Sequence, residues 1–538
     1  MQTAATSFEW KVPAEFNFAR DVIDALGRED RDGLVFIDAS GNRRAFRFLE
    51  IAEISQKYAA ALRDLGIRKG DRVIVLLPKI PGWLFTMLAL DRLGAVAIPC
   101  SEQLRAKDLL FRANHSEATA IVGHVSNAAE VDAMRRDAAA LQRYAILGGG
   151  REGWTPLEEL VEEARPFAGV ATVPSDIAYI VYTSGTTKDP KGVVHDRGYT
   201  FAKRMQAAFW LDAKPSDLVW CTAGTGWAKS LWNVLLGPWS CGSCIVLHEG
   251  LFVAEERMDF IRDLGVTVLC QAPTEYRLEA KLDRLGERWE LPKLRHCVSA
   301  GEPLNPEVIA RWKDAFGLWI YDGYGQTENS LLVANLPGME IRPGSMGKPT
   351  PGHDVGIVGE DGRPVEAGEV GDIALRGHPP SLFRGYYKNE EETRNAYRGE
   401  WYLTGDRAQA DDDGYFWFVG RADDVISSAG YRIGPFEVES ALLEHPAVAE
   451  SAVVGSPDPD RGNVVKAFVV LRPGFEPSET LAKELQEHCR RVTAPYKYPR
   501  EIEFIPELPK TRSGKIRRVE LRFAELQKKG ATAASGYV

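Results

Sequence analysis

Cysteine is scarce in this chain. There are seven in 538 residues, an odd number without regular spacing, which excludes a disulfide framework and points to reduced thiols. Cys241-Gly242-Ser243-Cys244 has the spacing of a redox pair, but it runs directly into Ile245-Val246-Leu247 and reads as a turn entering a buried strand. Histidine is also sparse, with nine residues and no ligand spacing, which argues against a zinc site. Positive charge is not in excess: 66 basic against 76 acidic residues give a net charge of -10, so no global field attracts nucleic acid. No apolar run reaches the roughly 18 residues of a membrane span, and the N-terminal segment lacks a basic start followed by an apolar stretch. The expectation is a cytoplasmic protein without membrane insertion.

A chain of 538 residues is too long for one core and predicts at least two domains. Apolar runs such as Val73-Ile74-Val75-Leu76-Leu77, Ala120-Ile121-Val122 and Val266-Thr267-Val268-Leu269 alternate with amphipathic helical stretches from about residue 30 to 340. That texture predicts parallel sheets covered on both faces. From about 340 to 420, short strands and Gly/Pro/Asp turns predict a small antiparallel or β-barrel-like module. The fold expected is therefore α/β. Residues 1–422 form a large N-terminal domain of two doubly wound α/β subdomains plus that module, and residues 423–538 form a small mobile α+β C-terminal domain.

Gly148-Gly149-Gly150-Arg151-Glu152-Gly153 matches the dinucleotide fingerprint and follows the strand-like Tyr144-Ala145-Ile146-Leu147. Thr155-Pro156-Leu157-Glu158 then reads as a capping box with proline at the first helical position, so the helix starts after the glycines. Pro166 and Pro174 follow where a second strand is required, and the segment is read as a turn.

Thr183-Ser184-Gly185-Thr186-Thr187-Lys188-Asp189-Pro190-Lys191-Gly192 follows the strand-like Ile177-Ala178-Tyr179-Ile180-Val181-Tyr182. Glycine lets backbone N–H groups converge, the hydroxyls add donors, and Lys191 supplies a point charge, which is how a chain holds a polyphosphate. The stretch is not a Walker loop, and taken alone it is equally an ordinary polar turn. Downstream, Ser299-Ala300-Gly301-Glu302-Pro303 offers a glycine turn for a planar base. Tyr321 to Glu328 combine aromatics, a hydroxyl and a carboxylate suited to magnesium. Trp401-Tyr402-Leu403-Thr404-Gly405-Asp406 sets an acid where it could accept from both ribose hydroxyls, and Lys510-Thr511-Arg512-Ser513-Gly514-Lys515 is a basic loop.

In this order, with Gly420-Arg421-Ala422-Asp423-Asp424, these segments make the chain resemble the adenylate-forming superfamily of acyl-CoA synthetases, luciferases and adenylation domains over nearly its whole length. Ala429-Gly430-Tyr431-Arg432-Ile433-Gly434-Pro435 and Thr493 to Arg500 look most like the medium-chain acyl-CoA synthetase branch. The resemblance implies ATP-dependent ligation of a carboxylic acid to CoA through an acyl-adenylate, with Mg2+. A stand-alone adenylation enzyme loading a carrier-protein thiol is the alternative. It places Thr183, Ser184, Gly185, Thr186, Thr187 and Lys191 around the phosphates. Ala300, Gly301, Glu302 and Pro303, with Asp322, Gly323, Tyr324, Gly325 and Gln326, lie at the adenine. Thr327 falls on the α-phosphate, Glu328 on the metal, and Asp406 with Arg421 on the ribose. Lys515 is implied as the adenylation lysine and as the target of a lysine acetyltransferase. Asp423 matches the hinge about which the C-terminal domain rotates. Ala429, Gly430 and Tyr431 match the CoA-facing loop, and Arg432, Arg461, Arg490 and Gln103 match positions serving CoA or nucleotide. For Arg461 and Arg490, solvated surface charge is the competing reading. Lys188 departs from the family, which usually has glycine there.

Trp227-Ala228-Lys229-Ser230-Leu231-Trp232 occupies the place of the acyl pocket. Trp227 and Trp232 fill volume that a long chain would need, so a short or medium-chain, branched or aromatic acid is expected. Lys229 either steers the carboxylate or extends to solvent.

Overall fold

The computed structural model describes residues 8–183, 190–422, 424–428, 431–458, 461–494, 496–510 and 516–529. The first sheet runs Thr155–Pro156, Arg143–Leu147, Ala120–His124, Arg72–Leu76, Val96–Pro99, Ile177–Thr183, Lys191–Asp196. Its strands are parallel except for the last pair, an antiparallel hairpin. The larger sheet carries a parallel run in the order Asp32–Ile37, Cys244–His248, Leu218–Cys221, Val268–Gln271, His296–Ala300, Ile320–Gly325.

Side-chain alternation explains why the two sheets stack. Val73 and Val75 face the same large core as Val219, Cys221, Ile245, Val268 and Cys270. Ile74 and Leu76 point the other way into a second core, and Trp220, Val246 and Leu269 into a third. Strands apolar at every position are thus buried on both faces, each fully buried Val, Leu or Ile contributing about 1.5–3 kcal/mol.

The module from about 340 to 420 is antiparallel, as expected, but open. Leu331–Ala334, Ser345–Pro349, Phe416–Arg421, Trp401–Ala410, Val370–Arg376 and Asp354–Val358 extend the larger sheet strand by strand, and no barrel closes among the described residues. The C-terminal unit is α+β, as expected, with helix Pro435–Leu443, strands Val448–Asp458, Gly462–Leu471 and Glu501–Phe504, and helix Glu479–Val492. A further helix, Arg518–Lys528, packs on the first of these strands; its high charge masked it in the sequence. The apolar centre of this unit is built from Val438, Leu442, Val453, Val465, Leu485 and Cys489.

The turn after Leu147 forms as expected, but its cap differs. The helix is Leu157–Glu163 with Pro156 at its N-cap, and Glu158 accepts from the Gly148 N–H at 2.8 Å instead of closing a capping box onto Thr155. Cys244 opens the buried strand Cys244–His248, and burial pushes its thiol up to about 12.

Candidate active site

Thr183 and Lys191 are register partners in the antiparallel hairpin at the edge of the first sheet. Lys191 pairs with the carboxylate of Glu392 and lies 5.2 Å from the Tyr386 ring. Asn389 caps the helix Glu390–Asn395, its side chain accepting from the Glu392 N–H at 3.0 Å, which fixes where Glu392 sits. Glu328 is the second carboxylate here. Tyr386 donates to its Oε1 at 2.9 Å, and burial pushes its carboxyl above the usual range, with Lys191 opposing. A carboxylate burdened in this way gains most from a nearby cation.

Asp406 joins the ribose side to the adenine side. It accepts from the Tyr324 hydroxyl at 2.6 Å and from Gln326 Nε2 at 2.7 Å, and it lies opposite Arg421 in the strand register. Gln326 also donates to the Thr404 carbonyl at 2.8 Å. The hydroxyl and amide that sequence order alone assigns to the adenine segment therefore hold the carboxylate assigned to the ribose. Thr327 is fixed through its carbonyl, which accepts from His195 Nε2 at 2.7 Å.

The glycines play two different parts. A Cβ at Gly325 would stand 2.1 Å from the Ser330 carbonyl oxygen, and one at Gly323 would stand 2.7 Å from Leu331, so both allow close strand packing. Gly301 instead has φ +110° with open space around it, a backbone conformation that glycine alone adopts readily. Next to it, Glu302 is paired with Arg277 at 2.6 Å and accepts from Thr274. Glu302 and Pro303 line a cavity of about 560 Å³ between the large domain and the C-terminal unit, with Arg277, Arg472, Lys510 and Arg518. Asp322 is buried, and burial pushes its carboxyl up to about 8.

Lys229 does not simply extend to solvent. Its ammonium donates to the Gln271 carbonyl at 2.8 Å and the Ala300 carbonyl at 3.0 Å, tying the acyl segment to the ends of two parallel strands. Trp227 is 48% exposed and Trp232 is buried.

In the C-terminal unit, the exposed Tyr431 stacks on Tyr496 with centroids 4.4 Å apart. Arg461 sits in a turn, its N–H bonded to Asp458 at 2.9 Å. Arg490 pairs with Glu487 and covers the Tyr498 ring at 3.8 Å. Gln103 is exposed, its N–H bonded to Ser101 Oγ at 3.3 Å. Ser184, Gly185, Thr186, Thr187, Lys188, Asp423, Ala429, Gly430 and Lys515 lie outside the described residues, as does the Arg432 side chain.

The AMP-binding enzyme family matches residues 24–387, and the AMP-binding enzyme C-terminal domain matches residues 437–515. The chain belongs to the AMP-binding enzyme family. It is 45% identical to the mitochondrial acyl-coenzyme A synthetase ACSM3 of Mus musculus, over 96% of this chain and 92% of that protein. Among solved structures it is similar to the anthranilate CoA ligase AuaEII in complex with anthranoyl-AMP, with a TM-score of 0.89, 32% identity and coverage of 96% and 99%. It is also similar to a benzoate CoA ligase from Burkholderia xenovorans LB400, with a TM-score of 0.84, 30% identity and coverage of 94% and 100%.

Three residues of this AMP-binding enzyme's site were not singled out from its sequence: Tyr386, Glu392 and His195. Each lies outside the signature segments and enters through a long-range contact. The Asn389-Glu390-Glu391-Glu392 cap was the one available signal.

Proposed function

We infer that the protein is an AMP-forming acyl-CoA synthetase. A carboxylate oxygen attacks the α-phosphorus of ATP, the bond to the bridging oxygen breaks, and pyrophosphate leaves. The thiol sulfur of CoA then attacks the acyl carbon, and AMP departs with the anhydride oxygen. The observation that carries this reading is the convergence of Tyr324 and Gln326 on Asp406, beside Glu328 and Lys191, in a chain of this family. The shared name of the curated relatives favours CoA over a carrier-protein thiol as acceptor.

In this reading Asp406 and Arg421 hold the ribose, the turn at Gly301 receives the base, Lys191 and the Thr183 loop hold the phosphates, and Thr327 contacts the α-phosphate. Glu328 fits Mg2+, because a single buried carboxylate beside substrate phosphates is a common way to bind that ion. Mg2+ would neutralise charge on the phosphates. Among the described residues no group of three or more ligating side chains forms a separate metal site. We place the domain boundary at residues 422/423, with Asp423 as the pivot, Lys515 serving adenylation, and the Gly430 loop with Tyr431, Arg461 and Arg490 serving CoA. The acid is short or medium-chain, branched or aromatic.

The test is a panel of acids with CoA, pantetheine or a carrier protein as acceptor, scored by AMP release and by acid-dependent ATP/pyrophosphate exchange. CoA thioester formation is the expected result. Exchange without transfer to CoA, but with transfer to a carrier protein, would replace this reading with the alternative.

A further inference from the structure

Behind Trp232 lies a buried group of hydrogen-bond donors with nothing to donate to. His195 is the penultimate residue of the strand Lys191–Asp196, and Tyr199 and Lys203 follow one helical turn apart on the helix Arg197–Phe209. His195 stacks on the Tyr199 ring with centroids 3.6 Å apart, and Lys203 Nζ is 3.5 Å from the same ring and 4.7 Å from Trp232. His195, Tyr199 and Lys203 have no measurable exposure, and Trp232 has 9%. The Tyr199 hydroxyl, Lys203 Nζ and Trp232 Nε1 make no well-formed hydrogen bond to a protein group, although the Trp232 N–H and the Tyr199 oxygen are neighbours. The Trp232 indole is close enough to draw the Tyr199 hydroxyl down against burial.

An unpartnered buried donor costs about 1–3 kcal/mol, and an unpaired buried amine costs more. Three together are not explained by packing, since a leucine or methionine at position 203 would fill the same volume without the penalty. Burial holds the Lys203 ammonium well below the ordinary lysine range, and the cation–π contacts with Tyr199 and Trp232 only partly compensate. The group is rich in donors and poor in acceptors. Its acceptors are the Tyr199 oxygen, beside the Trp232 indole, and His195 Nδ1, on a ring stacked against Tyr199, while the His195 Nε2–H is committed to the Thr327 carbonyl. That bond also ties the group to Thr327, the residue assigned to the α-phosphate.

We propose, on the acyl-CoA synthetase reading, that Tyr199, Lys203 and Trp232 form the far end of the acyl pocket and select acids carrying an acceptor oxygen, a second carboxylate or an oxo group, at the end remote from the reacting carboxyl. The distal oxygen accepts from the three donors, and Lys203 is the specificity-determining residue.

The experiment compares kcat/KM for CoA thioester formation across chain-matched probes: pentanoate, 4-oxopentanoate and glutarate, with benzoate and terephthalate as the aromatic pair. The oxygen-bearing member of at least one set is expected to exceed its plain partner by about 100-fold, because a site built to hydrogen-bond a group rejects the analogue lacking it. Glutarate exceeding 4-oxopentanoate would identify the oxygen as anionic, and the reverse as neutral. Lys203→Met is expected to collapse the ratio toward unity. If that variant does not fold, Trp232→Phe, which removes one donor and keeps a ring, is expected to narrow the ratio about 10-fold. Plain acids used as well as or better than their oxygenated partners, with a ratio unmoved by either variant, would overturn the proposal. No CoA-dependent AMP release with any acid would instead overturn the ligase reading on which it rests.

Discussion

The Tyr324 hydroxyl lies 2.6 Å from Asp406, across 82 residues of chain, and carries the end of one parallel strand to the start of the antiparallel module. Tyr324→Phe removes one hydrogen bond to Asp406 while Gln326 stays, and is expected to raise KM for ATP about 10-fold or more, as for loss of one hydrogen bond to a charged group. Asp406→Asn is expected to raise it further, with KM for the acid unchanged in both. Equal effects on the two substrates in a Tyr324→Phe titration would contradict the ribose assignment.

Lys229 separates two readings of the acyl segment cleanly. Because its ammonium bridges the Gln271 and Ala300 carbonyls, Lys229→Met should disturb the turn at Gly301 and raise KM for ATP. It should also lower the melting temperature, since two buried carbonyls lose a charged donor at about 1–3 kcal/mol. A rise confined to KM for the acid would return the residue to the role of carboxylate guide.

Two buried carboxyls should each pull stability down between about pH 6.5 and 8, against buried Lys203, whose lowered ammonium acts in the opposite sense. Burial pushes the carboxyls of Glu279 and Asp322 up to about 8, so the folded protein keeps protons that the unfolded chain releases near pH 4. Each carboxyl therefore lowers stability as pH rises through that interval, by up to about 1.4 kcal/mol per unit. Buried His248, held near 4, and His353, held near 3, act in the opposite sense only up to about 6.5. Glu279→Gln, at a site where Gln271 Nε2 donates at 2.7 Å, should remove its share of that pull in thermal melts taken from pH 6.5 to 8.

The two half-reactions should respond oppositely to changes at Lys515 and Asp423. Lys515→Ala is expected to reduce acid-dependent ATP/pyrophosphate exchange on the order of 100-fold or more while sparing transfer from presynthesised acyl-adenylate. Asp423→Pro should spare exchange and stall thioester formation, leaving enzyme-bound acyl-AMP, because proline restricts the backbone rotation. Both are read by single-turnover assays on the isolated adenylate.

Much of the architecture was legible because its physics is local. The runs at Val73 to Leu77 and Val266 to Leu269 announced doubly buried strands, and the turn at Gly148 was separable from a dinucleotide cradle by its neighbouring prolines. The signature segments around Asp406 and Glu328 could be grouped by their order. What stayed hidden was pairwise. Nothing in the sequence says that Lys229 points at two carbonyls, that Glu158 caps a glycine turn, or that Tyr386 reaches Glu328, because each contact is made only when separate elements meet. Lys203 was invisible for a different reason: a lysine on an amphipathic helix is ordinarily solvated, and only the packing of Tyr199 and Trp232 around it reveals that it is not.

The pairing of Lys191 with Glu392 makes the enzyme supply its own rival to the substrate. With Lys191 as the phosphate cation, nucleotide binding becomes an exchange of one anion for another, and the capped helix at Asn389 sets how firmly the resident carboxylate stays. The lysine is never left bare between turnovers. On the proposed role of Lys191, the returning carboxylate would help pyrophosphate depart, so the contact that weakens capture of ATP would speed the release of its product.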